Sequence, residues 1–201
     1  MIEIKDVISN VNIYGLAESI KASKYPFAVN TEDCTSEIVE RTKILGSCQG
    51  GQGHDTFLHG IVVQFDLTFT NKAWVEGERY HFLEFVSSQS TMHRIGKFNP
   101  EIQCIEYTDP IIVARFKELV DIYNGNPTDE NFLHLIYSIP SGFKLTARMT
   151  TNYAQLKTIY HQRKHHRLPE WKAVCRWIET LPEFDTLCLE HVRSEEDDVE
   201  K

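Results

Sequence analysis

The stretch from Phe143 to Pro182 constrains this chain more than any other. Apolar residues recur there at helical spacing in two runs, first Tyr153, Leu156 and Tyr160, then Trp171, Val174, Cys175, Ile178 and Leu181. Each run predicts a helix with one buried stripe. Pro169 suits a first helical position and Pro182 a stop. Between the runs stand His161, Arg163, Lys164, His165, His166 and Arg167. A core helix therefore delivers a group of cations to one place. A guanidinium held there suits a phosphate, because its planar fork matches two oxygens.

The clearest strand runs from Ile61 to Thr70. Val63, Phe65, Leu67 and Phe69 alternate with Gln64, Asp66, Thr68 and Thr70, which predicts one apolar and one polar face. Lys144–Met149 reads as a second strand and Met1–Val7 as a short edge strand. Helices are expected over Ile13–Ile20, after a Thr35 or Ser36 cap as far as Gly46, over Lys72–His81 with Trp74, over Pro110–Asn124, and after a Thr128 cap. Gly53–His59 reads as a short helical turn. The segment Gly46–Gly53 holds four glycines in eight residues and reads as a mobile connector. It lacks the terminal Gly-Lys-Ser/Thr of a phosphate-binding P-loop.

With 201 residues, one domain over 1–193 is the expectation, followed by an acidic tail at 194–201. The formal charge of −8 argues against general nucleic-acid binding, although much of it sits in that tail and leaves room for a local basic pocket. Five cysteines without Cys-x-x-Cys spacing argue against disulfides and a zinc ribbon. No run is long enough to span a membrane, and a reducing cytoplasm is the expected compartment. His161 and His165 share a helical face at metal-like spacing. The Glu of a His-Glu-x-x-His motif is missing and Arg163 would repel a cation, so no metal is expected. The hydroxyl-rich Ser87, Ser88, Ser90 and Thr91 lack a Gly-x-Ser-x-Gly elbow, so they read either as a helix cap or as an anion-binding turn. Arg163 itself has two readings, a phosphate ligand or a surface partner of Glu170 or of a tail carboxylate.

Several of these segments together resemble the flavin-dependent thymidylate synthases. A helix opening at Asn152 and ending at Arg163 keeps that family's spacing, with Pro140 in register before it. Glu170-Trp171 resembles the family's Trp-Glu in reversed order. Gly53-His54-Asp55-Thr56 resembles its Gly-His-Glu-Thr, followed as in the family by a strand and a helix. His81 and Ser90 keep the separation of the family's Arg-His-Arg element and its later serine. Tyr80 and Phe82 stand in place of the flanking arginines, Met92 in place of a later Arg, His93 in place of Tyr, and Ile136 in place of another phosphate-binding Arg. An ungapped alternative sets Arg79 on the first Arg and Gln89 on the serine. Arg94 is a candidate replacement for one lost cation.

The resemblance implies an α/β (α+β) protein with a central mixed or antiparallel sheet flanked by helices. It implies Ser90, Arg163 and Arg94 as nucleotide-binding residues, and His54, His81 and Asn152 as cofactor-binding ones. It further implies a pyrimidine nucleotide as ligand, FAD and a folate carbon donor as cofactors, reductive methylation of deoxyuridine monophosphate, and a homo-oligomer, by resemblance a tetramer. Charge-assisted hydrogen bonds are worth about 1.5–3 kcal/mol each. Losing two or three arginines therefore predicts weak or absent flavin binding. The alternative function is a non-catalytic nucleotide-binding protein, a sensor or sequestering agent.

Overall fold

A computed structural model describes residues 2–50 and 53–189; the acidic tail expected at 194–201 lies outside them. Four strands, β1 (Ile8–Tyr14), β2 (Val62–Thr70), β3 (Glu84–Ser88) and β4 (Lys144–Asn152), form one antiparallel sheet in the order β1-β2-β4-β3. Nine α-helices accompany it among the described residues: α1 (Leu16–Ala22), α2 (Glu40–Ser47), α3 (Asn71–Gly77), α4 (Thr91–Arg94), α5 (Pro100–Gln103), α6 (Pro110–Gly125), α7 (Asp129–Ile136), α8 (Tyr153–Arg163) and α9 (Pro169–Ile178). The class is the one expected, an α/β protein with an antiparallel sheet flanked by helices. No described helix is long and apolar enough to cross a membrane.

The chain divides into two compact units. Among the described residues, one comprises 2–50, 53–65, 82–84 and 150–189; the other comprises 66–81 and 85–149. In the first unit α8 is buried nearly all round, through Tyr153, Gln155, Leu156, Lys157, Ile159 and Tyr160. The apolar stripe of α9 is buried as its spacing predicts, and Trp177 packs on Phe65 of β2 with ring centroids 4.6 Å apart. Tyr153 is tied at both ends, its N–H donating to Ile61 O at 3.1 Å and its hydroxyl to Pro182 O at 2.7 Å. In the second unit a core of Ile95, Cys104, Phe116, Val120, Leu135 and Phe143 lies under α6 and α7. Cap residues act as their chemistry requires: Thr128 accepts from Asn131 N–H, Asp109 from Ile111 N–H, and Thr70 from Ala73 N–H.

The alternation in β2 holds through Phe69, with Val63, Phe65, Leu67 and Phe69 buried and Gln64, Asp66 and Thr68 only half-buried, while Thr70, expected on the polar face, is buried as the cap of α3. In the second unit that polar face carries cross-strand pairs, Thr68 with Thr146 at 2.8 Å and Asp66 with Arg148 at 3.3 Å.

Three local expectations are corrected. The first strand is Ile8–Tyr14, not Met1–Val7, because the Asp6 carboxylate accepts from Glu3 N–H at 2.9 Å and closes a turn over Ile4–Asp6. Ile13 consequently belongs to the strand, and the helix starts only after Gly15, whose φ of 74° suits glycine and where a Cβ would meet Gly60 O at 2.5 Å. The helix expected after Thr35 starts at Glu40, since the Thr35 hydroxyl accepts from Lys24 Nζ at 3.1 Å instead of capping. The helix carrying Trp74 ends at Gly77, not His81, and Tyr80 turns into the core.

Candidate functional site

In the first unit, α8 and its cap carry two of the expected site residues. Asn152 is its N-cap, and its side-chain oxygen accepts from Gln155 N–H at 2.9 Å. Arg163 is its last residue, and its guanidinium lies 4.9 Å over the ring of Trp171, which is 1% exposed. This cation–π contact fixes where a half-buried guanidinium sits. Asn152 and Arg163 stand at opposite ends of the helix, roughly 16 Å apart along its axis at 1.5 Å per residue. They do not meet in one shell around a small group.

His54 is exposed, and the next residue is where the sequence reading fell short. Asp55 is buried and accepts from Lys157 Nζ at 3.1 Å. The same ammonium, 5% exposed, donates to Gly46 O at 2.7 Å and to Cys48 O. All three of its protons are thereby used. Lys157 thus joins both ends of the glycine segment to α8, and the residue that resembles the family's Glu is held in a buried ion pair. The signal was present: Lys157 lies four residues after Tyr153 and three before Tyr160, on the inner stripe of the helix. Burial also governs the thiols here, pushing Cys48 and, more strongly, Cys188 above the ordinary range. Cys175 on α9 is pushed up to about 12, first by burial and then by Glu179, with Arg163 and Arg176 acting in the opposite direction.

In the second unit, Ser90 is the N-cap of α4 and makes no side-chain cap bond; Arg94 closes the same turn, its N–H donating to Ser90 O at 3.0 Å. The turn brings Ser90 and Arg94 together. Gln89 extends the strand beside it, pairing with Thr146 through both its N–H and its side-chain oxygen, each at 2.9 Å. His81 is exposed.

The positions at which the family carries flavin-holding arginines do not fit the anionic part of that cofactor. Tyr80 is 8% exposed, Phe82 packs edge-on 6.0 Å from His59, and Met92 is 60% exposed with no charge to offer. Among the described residues no group of three or more His, Cys, Asp or Glu is placed to hold a metal ion.

No family model matches the chain, and no curated protein does either. Solved structures do. Two are of the flavin-dependent thymidylate synthase from Helicobacter pylori with FAD and dUMP, at TM-score 0.69 with 12% and 15% identity, covering 89% of this chain and 96% of theirs. The fold is that of the flavin-dependent thymidylate synthases. A third, the UMP/dUMP methylase PolB from Streptomyces cacaoi bound with 5-Br dUMP, matches at TM-score 0.59 and 13% identity over 90% of each chain. The thymidylate-synthase-like fold expected from the Asn152–Arg163 helix and the Gly53–Thr56 segment is thereby established, at low identity to the structures that share it.

Proposed function

We propose that this protein binds a pyrimidine deoxynucleotide and takes its phosphate on Arg163, without holding a flavin tightly. The observation that carries the reading is the guanidinium of Arg163 seated 4.9 Å over Trp171 at the end of a buried helix. A cation oriented in that way has little rotamer freedom left to lose when an anion arrives. The fold is shared with proteins solved with dUMP or 5-Br dUMP, which supports a pyrimidine nucleotide as the ligand. The uncharged Tyr80, Phe82 and Met92 favour the non-catalytic version, a sensor or sequestering protein.

A second reading, flavin-dependent methylation of deoxyuridine monophosphate with a folate donor, is supported by the family-like Gly53–Thr56 segment, whose Asp55 accepts from the buried Lys157. Titration calorimetry with dUMP on wild type and Arg163→Ala tests the first reading. An absorption band near about 450 nm in the purified protein would favour the second. Alanine variants of Ser90, Arg94, His81 and Asn152, each measured for nucleotide and FAD affinity, test the remaining residues one at a time.

A further inference from the structure

In the second unit, α6 carries apolar residues on two faces. One face is core: Phe116 and Val120 are buried, and Val113, Leu119 and Tyr123 pack against the same cluster. Its flanks are held by neighbours, Lys117 donating to Glu101 of α5 at 2.7 Å and Tyr123 packing on Phe132 of α7 at 5.7 Å. The face turned away from the core carries Ile111, Arg115, Glu118 and Ile122. At about 100° per residue these four fall within roughly 60° of arc. A helix that meets only water along such a stripe is expected to be polar there. Instead Ile111 is 79% exposed and Ile122 46% exposed, one at each end of the stripe. Arg115 and Glu118 stand between them, paired with each other at 2.8 Å and both exposed. Spacings of four, three and four residues are those of a coiled-coil seam.

The order of the four residues is symmetric. Ile111 and Ile122 stand equally far from the middle of the stripe, and so do Arg115 and Glu118, with opposite charge. A two-fold axis crossing the stripe at that midpoint sets a second α6 antiparallel to the first. Ile111 then meets the partner's Ile122, and Arg115 meets the partner's Glu118. Such a contact is isologous, and each pair occurs twice. Parallel helices would set Arg115 on the partner's Arg115 and Glu118 on the partner's Glu118, which like-charge repulsion disfavours. We infer that α6 is a dimerisation helix whose partner is the α6 stripe of a second copy of this chain, set antiparallel. The isoleucines supply apolar burial at both ends, and the charges fix direction and register. Pairing through α6 does not depend on the nucleotide reading.

The test is sedimentation equilibrium of the full chain across roughly 1–100 µM, where the wild type should dimerise. Arg115→Glu puts two acids on the stripe and Glu118→Arg two bases. Each should weaken self-association about tenfold or more, since two attractive contacts per dimer become repulsive. Mixed in equal amounts, these two variants should form a heterodimer about as tight as the wild-type dimer. The double reversal Arg115→Glu/Glu118→Arg should restore the homodimer, and Ile111→Asp should weaken it at least as much as either single reversal. Circular dichroism should show every variant folded, because all the altered positions are exposed. A tetramer that the single reversals cut to dimers would support the proposal equally. A wild-type monomer over the whole range would overturn it and leave the stripe to a helix of a different protein. Association unaltered by the single reversals would overturn it too, and assign self-association to another surface. Single variants that dissociate but fail to pair when mixed would overturn the antiparallel register.

Discussion

Lys157 of α8 and Asp55 of the glycine-flanked turn form a buried ion pair at 3.1 Å, across a sequence separation of 102 residues. Removing one partner leaves the other charge buried, a change that costs about 3–5 kcal/mol in comparable pairs. Lys157→Met should therefore lower the denaturation midpoint strongly. Asp55→Asn should cost less, because the amide oxygen still accepts a hydrogen bond. Urea melts of both variants check this, and equal small losses would contradict it. Lys157→Met should also loosen the segment that carries His54, raising its proteolysis rate.

Arg163→Ala separates a ligand contact from a structural one. The expected loss in dUMP affinity is about 2–4 kcal/mol, or roughly 30- to 700-fold. The lost contact with Trp171 should cost only about 0.5–1 kcal/mol of stability, since the arginine is half-exposed. A large drop in melting temperature with unaltered affinity would assign the residue to packing alone.

Flavin affinity should be weak. Tyr80, Phe82 and Met92 place no cation where the resemblance expects three. An FAD titration should give a dissociation constant well above micromolar. Tight binding would restore the enzymatic reading.

Stability should decline in alkaline solution. Burial raises Cys175 from an ordinary 9.0 to about 12 in the folded chain, so the folded state holds that proton more tightly than the unfolded one. The contribution is fully present below about pH 9 and is lost as pH rises toward 12. Burial raises Tyr153 and Cys188 in the same direction. Cys175→Ala should make the pH–stability curve shallower over that range without flattening it, as followed by thermal melts at fixed salt.

Self-association is expected as well. On α6 and α7, Ile111, Ile112 and Leu133 are exposed, and so is Tyr137, the C-cap of α7; single exposed apolar residues are ordinary but a group of this size on neighbouring elements is less so. The aromatic of α3 gives no such reason, because Trp74 is covered by Phe69 and Phe85 at 5.2 and 5.0 Å. Light scattering at micromolar concentration should report an oligomer, and a monomer would rule it out.

What the sequence determined by itself was local. The α8 and α9 stripes, the alternation of β2, the cap at Thr128 and the cations around Arg163 depend on neighbours within a few residues. Spacing therefore exposes them. The resemblance built on those segments led to the fold. Tertiary structure decided the rest, because the deciding partners lie far apart in the chain. Lys157 stands on the inner stripe of α8, but nothing local names Asp55, Gly46 and Cys48 as the groups that close around it. Thr35 reads as a cap until Lys24 takes its hydroxyl. Arg163 has two readings in sequence, a phosphate ligand or an ion-pair partner, and neither foretells the Trp171 ring on which its guanidinium rests. A buried charge must find its counter-charge wherever the chain brings it, and no local pattern encodes that distance.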